Sequence, residues 1–147
     1  MTDEKLLFAL EQKTLLLTKI ADLTKQIEVK SKQKEIRLEN LPTQRQILLN
    51  RVEKCNRMID GCVKSLPEDS RERMRQILAG KIRPEECTPE ETVLLRHSLK
   101  CLSLLRTILA ENNIAVVRVR KERNRLQKAM SKLRKDSNAS GSMFHVR

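Results

Sequence analysis

Imidazoles, thiols and clustered carboxylates build most active sites and metal centres, and in this chain they are few or wrongly spaced. There are two histidines, His97 and His145, and four cysteines, Cys55, Cys62, Cys87 and Cys101. No two cysteines stand in a CxxC pair, so a zinc site lacks its usual chelating unit. His97 has no plausible nucleophile beside it as part of a positioned constellation, and His145 falls in a Ser-, Asn- and Gly-bearing end segment. Gly-rich phosphate loops, HExxH and GxSxG are all missing. The expectation is therefore no catalysis, no metal and no cofactor. Reduced thiols fit a cytoplasmic protein. "MTDEKLLFALEQKT" does not read as a signal peptide, and no run approaches the ~18 apolar residues of a membrane span.

The chemistry that remains is non-covalent. Of the net charge of +12, most lies in residues 113–135, which hold nine basic residues and one acidic residue. Arg118, Arg120, Lys121, Arg123, Arg125 and Lys128 form the densest part. Such a run is an ordinary solvated helix face or an attractant for phosphates, acidic proteins or lipid headgroups. Nucleic acid is the weaker reading. No aromatic residue interleaves with the cations to stack on bases. A leucine-zipper reader would also place its basic region before its heptads, not after them. Val116, Val119, Leu126, Met130 and Leu133 keep an apolar stripe through the same run, which suits the docking of an acidic amphipathic helix. Just upstream stand Asn112 and Asn113. Asn112 falls on the apolar seam, either as a polar residue that fixes helix register or as the point where the seam opens.

These residues need long helices to position them. The chain is rich in Leu, Lys, Arg and Glu, with three glycines, four prolines and two aromatics, Phe8 and Phe144. That composition predicts an all-α protein: a long antiparallel helical hairpin or bundle with a short middle helix and coiled-coil-like packing. The expected helices cover about 3–40, 42–65, 67–79 and 89–134, in a single domain over 1–135, with 136–147 as a disordered tail. Leu16, Ile20, Leu23 and Ile27 mark the first seam. Pro42 kinks or restarts the helix, with Asn40 available as cap. Leu48, Val52, Cys55, Ile59, Cys62 and Leu66 mark the second seam. Gly80 ends the short helix. Thr88, Pro89 and Glu91 form a capping box for the last helix. There Leu95, Leu102, Leu109 and Val116 recur every seven residues, followed three residues later by Ser98, Leu105, Asn112 and Val119. The first and last arms are expected to run antiparallel, and a further copy of the seam could come from a second chain, giving self-association. In the tail, Phe144 is the one bulky residue that could anchor a short docking motif.

Two stretches, "LPTQRQILLNRVEKCNRM" and "LLRTILAENNIAVV", together with a Gly-containing tail, resemble flagellar export chaperones of the FlgN type. That resemblance implies a small cytoplasmic helical protein that holds a helical segment of an exported filament protein and hands it to an export apparatus. It places the client-binding residues on the last helix, at Leu105, Leu109, Asn112, Asn113, Val116 and Val119, and an apparatus contact in the tail. In size, charge and hairpin form the chain is also similar to the basic coiled-coil stalk proteins of type III export ATPases.

Overall fold

Helix α1 (Glu4–Lys30) forms because apolar or small residues return every three or four positions along an otherwise charged segment. Leu6, Leu10, Leu17, Ile20, Thr24 and Ile27 are all buried. The structure, a computed structural model, describes residues 4–144, with side chains described as far as Lys135. Four α-helices make up the described chain: α1, α2 (Leu41–Lys64), α3 (Glu68–Leu78) and α4 (Pro89–Phe144), with a 3-10 turn at Pro84–Glu86 before α4.

The core is layered along the length of α1. Leu6 and Leu10 pack with Ile59, Cys62, Leu94 and Leu95. Leu17 and Ile20 pack with Val52, Cys101 and Ile108. Ile27 packs with Leu41 and Ala115. Moving up α1, residue numbers fall on α2 and rise on α4. Helix α2 is therefore antiparallel to α1, while α4 runs parallel to α1 and antiparallel to α2. The expected antiparallel pairing of first and last arms is not found: α1 packs parallel to α4, and α2, though antiparallel to α4, lies against the other side of α1. The chain folds back between α1 and α2, so what the sequence suggested as one kinked arm is two helices lying side by side.

The fold-back begins earlier than expected. Helix α1 ends at Lys30, and residues 31–40 form turns and extended chain. Beyond Ile27 the segment has too few seam residues to bury a helix face, so nothing holds a helix there. Ser31 stops the helix by turning its hydroxyl onto the Glu28 carbonyl oxygen at 2.6 Å. Glu39 takes a left-handed φ of 54° to reverse the chain, and Leu38 tucks under the last core layer. Asn40 occupies the cap position of α2, but its side chain makes no capping hydrogen bond.

The seam of α2 is the one the spacing predicts: Val52, Ile59 and Cys62 are buried, and Leu48, Cys55 and Leu66 partly so. All four cysteines are free thiols. On α1 and α4 the expected seams are buried in part: Ile20, Ile27, Leu95 and Ser98 are in the core, while Leu17 and Thr24 lie deeper than Leu16 and Leu23. The buried series on α4 is Leu94, Ser98, Cys101, Ile108 and Ala115, with Leu105, Asn112 and Val119 partly buried between and beyond them. The expected Leu109 and Val116 are exposed instead, at 59% and 38%.

The capping box of α4 is as expected. The Thr88 backbone N–H donates to Glu91 Oε1 at 2.9 Å, and the Glu91 N–H donates back to Thr88 Oγ1 at 3.2 Å. Arg73 of α3 adds a two-pronged clamp on Glu91 at 2.7 and 2.9 Å, pinning the short helix to the long one. The Arg73 guanidinium first, and the Thr88 N–H second, lower the Glu91 carboxyl from 4.5 to about 2. Its stabilising effect is thus complete above the ordinary carboxylate range and is lost as pH falls toward 2. Glu91→Gln is expected to cost about 1 kcal/mol at neutral pH. Thermal melts should show this deficit closing between about pH 4.5 and 2.

Helix α4 is drawn ten residues beyond the expected end at Arg134, as far as Phe144. The proposed anchoring by the Phe144 side chain, and His145, lie outside the described residues.

Candidate functional site

The seam of α4 loses bulk as it approaches the end of α1. Leu94 and Leu95 fill the first layer and Ile108 the second, but Asn112 and Ala115 follow. The amide of Asn112 is not orphaned. Arg45, one turn into α2, donates from Nη1 to Asn112 Oδ1 at 2.9 Å and reaches Thr24 Oγ1 of α1 at 3.4 Å. One guanidinium thus joins all three long helices. Burial lowers its pKa from the ordinary arginine value. Asn112 is thus a satisfied polar contact within the bundle. Asn113, by contrast, is exposed.

Small side chains at the end of a seam also leave space. Beyond the Arg45–Asn112 contact lies a cavity of about 280 Å³, floored by Ile27, Leu38, Ala115 and Val119. Pro42 and Val116 wall it, and Arg45, Arg120 and Arg123 stand at its edge. The seam therefore opens where the sequence hinted, one turn past the polar contact that closes it.

Beside the cavity, a second polar cluster ties the end of α1 to α4. The Glu28 side chain is only 6% exposed. Arg118 donates from Nη1 to Glu28 Oε1 at 2.9 Å, to the Glu28 backbone oxygen at 3.2 Å and to Ser31 Oγ at 3.3 Å. Lys25 and Lys32 stand 3.4 Å from the same carboxylate. The Arg118 hydrogen bond, more than either lysine, holds the Glu28 carboxyl below its ordinary pKa against the opposing effect of burial.

The expected basic patch is therefore not uniform. Arg118 is used internally and is not free for a partner. Arg125 is paired with Glu122 on its own helix at 2.5 Å. Arg120, Lys121, Arg123 and Lys128 have no ion-pair partner among the described residues. Every side chain from Arg123 to Lys135 is exposed, including Leu126 at 47%, Met130 at 52% and Leu133 at 67%. The helix continues to Phe144, roughly 32 Å from Arg123 at 1.5 Å per residue.

The resemblance-derived client residues do not share one surface. Leu105 is partly buried and packs against the middle core layer. Asn112 and Val119 line the cavity, Val116 sits at its wall, and Leu109 and Asn113 face outward. His97 is half-buried, with Nδ1 3.5 Å from Thr14 Oγ1. Thr14 donates its proton to the Leu10 carbonyl at 2.8 Å and accepts from the Cys101 thiol at 3.3 Å. This is a satisfied core contact, and the thiol is sealed at 4% exposure. No group of three or more possible metal ligands occurs among the described residues. No helix among them is long and apolar enough to cross a membrane.

Compared with known protein families, curated proteins and solved structures, the chain matches none.

Proposed function

We propose that this protein is a non-catalytic helix-binding protein of the export-chaperone kind, which holds an acidic amphipathic helix along the distal half of α4. The supporting observation is the exposed stripe of Leu126, Met130 and Leu133, set among cations such as Arg123 and Lys128 that have no ion-pair partner among the described residues. A lone helix of this length is marginal in water, because helices in proteins owe most of their stability to a packed apolar face. A partner helix supplies that face. Full burial of the three side chains yields about 1.5–3 kcal/mol each, before ordering costs reduce the sum to ordinary micromolar binding.

Charge selects the partner. A second copy of this chain would lay one strongly basic segment against another, and like charges oppose that pairing. An acidic helix is attracted instead, with steering that weakens as salt rises. The stalk-protein reading calls for a plain two-helix hairpin, which fits less well with three long helices sharing the bundle.

The test uses a synthetic peptide of about four heptads, with leucine at a and d and glutamate at e and g. Fluorescence anisotropy should give micromolar binding, weakened about tenfold or more in Leu126→Asp/Met130→Asp at unchanged helix content. A short DNA duplex bound more tightly than the peptide, with a steep salt dependence abolished by reversing Arg120 and Arg123, would replace this reading with a nucleic-acid one.

A further inference from the structure

The cavity at the end of the bundle opens between α1, the fold-back and α4. Its floor is apolar and comes from three elements: Ile27 of α1, Leu38 of the fold-back, and Ala115 and Val119 of α4. At about 280 Å³ it is near the lower limit of small-ligand pockets and fits one large side chain. Two of the three arginines at its edge, Arg120 and Arg123, have no ion-pair partner among the described residues, although their neighbours Arg118 and Arg125 are both paired with glutamates. An apolar hole with unused guanidiniums at its lip is matched to an apolar group carrying a carboxylate nearby.

We infer that this cavity is an anchor pocket that takes one bulky apolar side chain of an acidic helical partner, while Arg120 and Arg123 hold a carboxylate next to it. This rests on the helix-docking reading above and adds the point that fixes the register of the docked helix. The pocket lies where α1 and the fold-back stop covering α4. A helix seated on Leu126 and Met130 and running back toward the bundle meets it within two turns. Its anchor fills the space that Asn112 and Ala115 leave, so burial there adds affinity without displacing any residue of the bundle. The arginines at the lip then select acidic over neutral neighbours of the anchor.

The experiment uses the whole chain, isotopically labelled, and indole-3-propionate as a probe with the anchor's chemistry and no helix. Amide shifts centred on Leu38, Ala115 and Val119 should saturate with a millimolar dissociation constant. Indole-3-propionamide, which lacks the charge, should bind about fivefold more weakly or worse. Arg120→Ala/Arg123→Ala should lose about the same factor, and both positions are exposed, so the fold is spared. Val116→Trp, which plugs the wall from a partly exposed position, should abolish the shifts. Absence of saturable shifts, or shifts unchanged in Val116→Trp, overturns the pocket. Equal binding of acid and amide overturns the role of the arginines. In a parallel arm, the acidic heptad peptide carrying tryptophan at one d position should bind about tenfold tighter than the same peptide carrying alanine there. Peptide binding with no probe binding and no tryptophan gain leaves helix docking standing and overturns the pocket. Probe binding with no peptide binding supports the pocket's ligand class and overturns helix docking.

Discussion

Leu17→Ala is expected to lower the stability of the protein by about 2–5 kcal/mol. Leu17 is fully buried, and the layer around it draws on α1, α2 and α4 together through Ile20, Val52, Cys101 and Ile108. Because α1 lies between the other two long helices, a void at Leu17 loosens both of its interfaces at once. The described core holds no aromatic side chain that could swing into the gap: Phe8 is 55% exposed. Neighbouring β-branched side chains are stiff about χ1 and refill a cavity poorly. Net stabilities of small domains are about 5–15 kcal/mol, so the loss is a large share of the whole. Urea titration should show a lower midpoint with an unchanged slope. The control is Leu15→Ala, two residues earlier on the same helix and 57% exposed, which should stay within about 0.5 kcal/mol of wild type. Equal losses at the two positions would contradict the assignment of the buried face.

The contrast between Leu17 and Leu15 also shows how far the sequence could be read. The all-α class, the capping box at Thr88 and Glu91, the exit at Gly80 and the α2 stripe all follow from local rules, because each depends on residues close together in the chain. Gly80 has φ 71°, and an added Cβ would come within 2.9 Å of Leu99, so its role follows from backbone geometry alone. The faces of α1 and α4 are legible in half, at Ile20, Ile27, Leu95 and Ser98, because a leucine-weighted reading favours Leu16, Leu23, Leu102 and Leu109 for the rest. The actual seams use Thr24, Cys101 and Ala115, small residues that let neighbouring backbones approach. The direction of α4 was missed for a related reason. Heptad spacing specifies which face is buried but not which way the partner runs. The Arg45–Asn112 and Glu28–Arg118 contacts join residues 67 and 90 positions apart. No local pattern distinguishes these two arginines from the solvated ones beside them. The cavity is legible only in part: Asn112 signalled a change in the seam, but the space itself depends on where the fold-back places Leu38.

Arg118→Ala is expected to destabilise the protein more than alanine at Arg120 or Arg123, although all three lie within six residues of one basic run. The three differ in what they leave behind. Arg120 and Arg123 have no ion-pair partner among the described residues, so their loss returns nothing charged to the interior. Arg118 leaves the Glu28 carboxylate in a site where only 6% of its surface meets water. Lys25 and Lys32 remain 3.4 Å away, but both are more than half exposed and are screened by solvent. In the wild type Glu28 is held below the ordinary carboxylate pKa, chiefly by Arg118. The stability contributed by the pair is therefore complete above that range and fades as pH falls through it. Removing Arg118 leaves burial to push the carboxyl the other way. The deficit should thus be largest at neutral pH and shrink in acid, where Glu28 is protonated in both proteins. A Glu28→Leu/Arg118→Leu double variant should recover most of the loss, because two apolar side chains of similar reach owe no desolvation cost. Urea titrations of the single and double variants across pH would measure this, with hydrogen exchange at residues 112–119 reporting whether the end of α1 has parted from α4. A double variant no better than the single would mean that the charges themselves, and not their desolvation, hold the base of the protruding helix in place.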